Sequence, residues 1–136
     1  MKEDIRLGKV SSVDPAAGMV RVVYHEKDSA VTRSIPILSP VFSGLYSLPE
    51  VGDQVLVLHL SNGSEAGVVL GRPWSDKFTP PEGAEGLVRL DMDRKPGAAM
   101  LRYDAKAQDL TIHCDGTLNI TAGGAITING KTIDLN

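Results

Sequence analysis

The sequence predicts an all-β protein, an N-terminal barrel followed by a C-terminal intertwined triple-stranded β-helix shared by three copies of the chain. Three observations carry this. Short β-rich runs separated by Pro and Gly turns fill residues 5 to 71. Apolar or tiny residues alternate with predominantly polar ones from Leu110 to Gly130. An eight-residue repeat is superimposed on that alternation.

The barrel is read strand by strand. Ile5 to Val13 and Met19 to Tyr24 flank Asp14-Pro15-Ala16-Ala17-Gly18, two extended runs about a tight connection, so they form a hairpin. The charged stretch His25-Glu26-Lys27-Asp28 is a solvated loop, and Val31 to Leu38 is extended again, ending at Pro40. After Ser39 to Ser47, the turn Leu48-Pro49-Glu50-Val51-Gly52-Asp53 leads into Gln54 to Leu60, the most hydrophobic run, expected to be largely buried on both faces. Asn62-Gly63 then marks a hairpin into Glu65 to Gly71, because both residues tolerate positive φ. Five strands in this span fit a five-stranded barrel of the oligonucleotide/oligosaccharide-binding (OB) shape, with an SH3-like barrel as the other topology the strand count allows.

The stretch Arg72 to Pro81 has no sustained period and ends in two prolines, the signature of a module boundary. Trp74 and Phe78 within it are placed to cover the end of the barrel or to pack on a neighbour. Beyond it, Gly86 to Leu90 and Ala99 to Tyr103 are strand-like and form a loose hairpin. The expected organisation is a barrel domain over residues 1–76, a connecting β segment over 77–108 and a trimeric spike over 109–136.

In the tail, Leu110, Leu118 and Ile126 stand eight residues apart, as do Ile112, Ile120 and Ile128, and Gly116 and Gly124 recur at the same spacing. The intervening positions are mainly Thr, Asn and Asp, so one face is apolar and the other polar. Ile133 and Leu135 continue the apolar set with a one-residue register change at Asn129-Gly130. A unit this small cannot build its own core. Leu110, Ile112, Cys114, Leu118, Ile120, Ile126, Ile128, Ile133 and Leu135 are therefore assigned to the core of a homotrimer. The competing arrangement, a flat sheet laid on the barrel, accounts for the alternation but not for the eight-residue spacing.

Composition limits other functions. Seventeen acidic residues against fourteen Lys and Arg, a net charge of −3, offer no general attraction to polyphosphate or to an anionic membrane. No run approaches the ~20 apolar residues of a membrane span. The N-terminus MKEDIRLGKV lacks the apolar segment of a secretory signal, and the single cysteine cannot form an intrachain disulfide, so cytoplasmic synthesis is expected. The acceptor patterns Asn62-Gly63-Ser64 and Asn119-Ile120-Thr121 are read as chance matches.

No catalytic, cofactor-binding or metal site emerges. His113 and Cys114 are adjacent strand residues that point to opposite faces. Asp91, Asp93, Asp104 and Asp109 flank turns and read as solvated carboxylates. Gly63, Gly67 and Gly71 lack the Lys-Ser/Thr ending of a phosphate loop. A barrel can bind through a few loop residues, which keeps a binding module for oligosaccharide or nucleic acid as the alternative function, but Lys9, Arg21, Lys27 and Arg33 are too sparse among acids to favour it.

Gly8-Lys9-Val10 through Val20-Arg21-Val22, Leu48-Pro49-Glu50-Val51-Gly52-Asp53-Gln54-Val55, the Gly67 to Gly71 strand and the octad-like tail together resemble the baseplate assembly protein V, or central-spike, family of contractile phage tails and related injection systems. The resemblance implies a non-enzymatic trimer in a phage or phage-like baseplate. Its N-terminal domain would contact hub or tube-proximal proteins, and its C-terminal end would point to the host envelope. Residues 72 to 109 are too few for the muramidase domain that related spikes carry. With only His25, His59 and His113, the chain departs from the His-x-His metal element of other members, so a separate tip protein at the C-terminal end is expected.

Overall fold

The computed structural model describes residues 5–60 and 66–136. The chain divides into two compact units, Met1–Thr79 and Pro80–Asn136.

In the first unit, β1 (Ile5–Asp14) and β2 (Met19–Tyr24) form the expected hairpin, and β1 also pairs with β5 (Gln54–His59), which pairs with β6 (Gly67–Gly71), all antiparallel. The short strands β3 (Ala30–Val31) and β4 (Ile35–Pro36) both pair with β2, giving a sheet of order β3-β2-β1-β5-β6 with β4 beside β2. The expected Asn62-Gly63 hairpin turn lies outside the described residues, as does the Asn62-Gly63-Ser64 pattern.

The core is built almost entirely from valine. Val10, Val20, Val22, Val55, Val57 and Val69 are at most 2% exposed, joined by Ile35 and Tyr24. β-Branched side chains are stiff and suit a pleated surface, so a short-stranded sheet can close-pack them at little entropic cost. In β5 the buried face is Val55, Val57 and His59, while Gln54, Leu56 and Leu58 are half-buried, so only one face is sealed. Gly8 is required where it stands. A Cβ there would lie 2.5 Å from Val22 Cγ1 and 2.6 Å from the Tyr24 ring.

The expected closed OB-like barrel is not formed; the sheet is open. The segment expected to run extended from Val31 to Leu38 supplies only two two-residue strands. Between them the Thr32 hydroxyl accepts from Val22 N at 3.0 Å and donates to Arg33 O at 2.7 Å, so a side chain replaces a ladder bond. Pro36 has no N–H to donate. Among the described residues, the contact opposite β6 is then an Ile37–Val69 bridge and one bond from Leu38 N to Val69 O.

The Leu48 to Asp53 turn is locked by its own residues. Gly52 adopts φ +96°, Asp53 Oδ2 accepts from Glu50 N at 2.9 Å, and Gly52 N and Asp53 O bond Val10 O and N. Asp53 Oδ1 also meets Arg72 at 3.2 Å, and the Arg72 guanidinium lies 3.4 Å from the centroid of the Phe78 ring, beside Trp74.

The second unit is a three-stranded antiparallel meander of β7 (Leu87–Asp91), β8 (Ala99–Asp104) and β9 (Asp109–Cys114). The expected triple-stranded β-helix is not formed. Residues 115–136 contain no strand and are exposed throughout. Alternation gives a chain the propensity to be extended, but a strand exists only where a neighbour accepts its backbone bonds, and among the described residues the last such bond runs from Asp115 N to Ala98 O at 2.7 Å.

Inside the first unit, His59 is 6% exposed and held at both nitrogens, Nε2 2.7 Å from Tyr24 Oη and Nδ1 3.2 Å from Ala66 O. Ala66 O can only accept, which places the ring proton on Nδ1 and leaves Nε2 to accept from the Tyr24 hydroxyl. Burial pushes the Tyr24 hydroxyl up to about 12, against the opposing Arg6 charge. His59→Phe removes the acceptor and strands a buried hydroxyl, so it is expected to cost about 1–3 kcal/mol in denaturant unfolding. Tyr24→Phe combined with His59→Phe should recover part of that loss in a double-mutant cycle.

Candidate functional site

The meander has two chemically opposite faces, set by register. Directly paired residues in antiparallel strands share a face. Val88, Tyr103 and Leu110 line up across the three strands, as do Leu90, Leu101 and Ile112, and Ala99 pairs with Cys114. This face is wholly apolar apart from the Tyr103 hydroxyl and the Cys114 thiol.

The face is also bare. Val88 is 68% exposed, Leu90 53%, Leu110 65% and Ile112 57%, with Leu101 and Tyr103 near 40%. The expected core positions Leu110, Ile112 and Cys114 therefore lie together on one face of β9. Leu118, Ile120, Ile126, Ile128, Ile133 and Leu135 follow in the strandless tail, each more than half exposed. Val88, Leu90, Leu101 and Tyr103 escaped the sequence reading, although they alternate with Leu87, Arg89, Asp91, Met100, Arg102 and Asp104 in the same two-residue period.

The opposite face is tied up by ions. Glu82, ahead of β7, accepts from Arg102 Nε at 2.6 Å and Nη2 at 2.9 Å and from Arg89 Nη1 at 2.8 Å. Arg89 in turn grips Asp91 through Nε at 2.8 Å and Nη2 at 3.0 Å, and Asp91 Oδ1 accepts from Gly97 N at 2.9 Å. Asp91, expected to be a solvated carboxylate, is thus a half-buried member of a network. Asp93 and Asp104 serve turns, accepting from Lys95 N at 2.8 Å and Lys106 N at 3.0 Å.

The charges respond accordingly. The hydrogen bonds from Arg102 and then Arg89 hold the Glu82 carboxyl at about 2, well below the ordinary glutamate value. Arg89 lowers Asp91, helped by the Gly97 amide. His113 Nε2 lies 2.8 Å from Asp115 Oδ1 and lowers that carboxyl, while the Cys114 thiol points away and donates to Thr117 O at 3.7 Å. Among the described residues no group of three or more His, Cys, Asp or Glu is arranged to hold a metal, and no helix is long and apolar enough to cross a membrane.

Because the Glu82 carboxyl is depressed in the fold, its contribution is present above the unfolded value near 4.5 and is lost as the pH falls toward 2. Amide protection in β7 and β8, corrected for the intrinsic pH dependence of exchange, should fall across that window. Glu82→Gln should exchange faster at neutral pH and lose most of the acid dependence.

Residues 6–74 match the family described as the type VI secretion system/phage-baseplate injector OB domain. No curated protein matches the chain.

Proposed function

The chain belongs to the family of type VI secretion system/phage-baseplate injector OB domains, and from that premise we propose that it is a non-enzymatic structural component of a contractile-tail baseplate: the homotrimeric central spike that links the tube or hub to the membrane-piercing tip. The observation that carries the reading is the bare apolar face of β7–β9 and its continuation into the tail. Surfaces of this kind are covered by a partner, because a monomer rarely exposes more than a few hundred Å² of contiguous apolar area.

Three copies is the number the family resemblance implies. In such a trimer Leu110, Ile112, Cys114, Leu118, Ile120, Ile126, Ile128, Ile133 and Leu135 form the shared apolar strip, extended by Val88, Leu90, Leu101 and Tyr103. Thr, Asn and Asp positions face water. Residues 1–76 contact hub or tube-proximal proteins, and the end around Leu135 faces a separate tip and, on injection, the host envelope. The protein is made in the bacterial cytoplasm and assembled into a phage or phage-like particle. No reaction is needed: a dry shared core resists splaying while longitudinal force passes along it.

Light scattering on the full-length chain should give three copies per particle; a monomer across working concentrations defeats the reading. Leu118→Asp with Ile120→Asp places six carboxylates in the shared strip. Each lost apolar contact costs about 2–5 kcal/mol in a packed core, and an unpaired buried carboxylate adds several more. The double variant should dissociate while the first unit stays folded. Asn119→Asp with Thr121→Asp adds the same charge to the other face and should be milder; the reverse ranking would overturn the assigned facing.

A further inference from the structure

The meander has two open edges as well as one open face. β7 and β9 are its outer strands, each paired only with β8. Sheet proteins ordinarily defend such edges with very short strands, bulges, prolines or lysines. The first unit does so, with two-residue β3 at one edge and a register shift at Leu56/Val57 in the pairing of the other edge strand, β6. The meander does not. Its ladders run without a register shift, and neither Leu87–Asp91 nor Asp109–Cys114 contains a proline or a lysine. Undefended edges beside a bare apolar face are pairing surfaces.

The occupant follows from area and symmetry. Six large apolar side chains in the sheet and six in the tail are exposed. At on the order of 100 Å² each they reach the roughly 800 Å² per partner at which stable interfaces settle. The ionic face, occupied by Glu82, Arg89 and Arg102, offers no comparable surface. A second copy supplies both a matching apolar face and a matching edge. β9 can pair with β9 of another copy only about a twofold axis, which a threefold assembly lacks. Since β7 and β9 are each antiparallel to β8, they run in the same direction. Rotation about an axis along the strands preserves that direction.

Resting on the trimer reading, we infer that β9 of each copy pairs in parallel with β7 of the next, so that three meanders join edge to edge with Val88, Leu90, Leu101, Tyr103, Leu110 and Ile112 turned toward the axis. Every copy then donates one edge and accepts one, and the cycle closes after three.

Cysteine cross-linking of the full-length chain tests this, in a Cys114→Ser background, with sites on the outward face so that symmetry-related copies of one site stay apart. Leu87→Cys is combined in turn with Asp109→Cys, Thr111→Cys and His113→Cys, which sample the length of β9. Within one chain these positions are separated by β8, roughly 10 Å, beyond disulfide reach. The expected result is a reducible covalent trimer on a denaturing gel from at least one double variant and no cross-link from any single variant. Cross-linked dimers from a single β9 variant would overturn the pairing in favour of β9 to β9. A trimer by light scattering with no cross-link in any double variant would also overturn it, leaving the trimer standing. A monomer by light scattering would overturn both.

Discussion

A sheet must bury one face to be stable, and in residues 80–136 the covered face is the charged one. Glu82 reaches across β7 and β8 to hold Arg89 and Arg102, and Asp91 completes the set. Ionic contacts at half-exposed positions contribute little net stability beside apolar burial. They do decide which way the sheet faces. With one side occupied by charge, Val88, Leu90, Leu101, Leu110 and Ile112 on the other side stay exposed. That constraint leaves an ordinary antiparallel meander with a bare apolar face, and the proposed assembly depends on it.

The first unit satisfies itself by the opposite route. Its valine core is closed within the chain, and its polar groups are paired inward, Tyr24 with His59 and Asp53 with both Glu50 N and Arg72. One chain therefore joins a sheet with a buried valine core, around which Phe42, Leu45, Tyr46 and Trp74 stay exposed, to a meander whose apolar face is bare. This division suits a baseplate component, whose injector OB domain spans residues 6–74.

Strands β1, β2, β5 and β6 were legible because each is a local β-rich run bounded by turn residues, and the Pro49-Glu50-Val51-Gly52-Asp53 turn announced itself through Pro49 and Gly52, while the lock by the Asp53 carboxylate did not. Barrel closure was not. It depended on whether residues 31 to 38 could sustain a ladder, and a single Thr32 hydroxyl and the missing Pro36 donor decided against it. The alternation of Leu110, Ile112 and Cys114 was legible in the same local way. Its extension to Leu101, Tyr103, Val88 and Leu90 is a matter of register between strands, which no local period encodes. Nor does spacing reveal that Glu82 finds Arg102 twenty positions later. The tail marks the limit of pattern reading, since periodicity specifies which side chains share a face but not which backbone will lie alongside.

Glu82 has one more consequence, a mechanical one. It sits just before β7 yet is anchored to two strands at once, through Arg89 on β7 and Arg102 on β8. Tension applied to the chain entering the meander is therefore not delivered to the first residue of β7 alone. Peeling that strand away bond by bond would first require two charge-assisted contacts to part together, because one carboxylate bridges both. The pull is shared between two neighbouring strands rather than borne by the first alone.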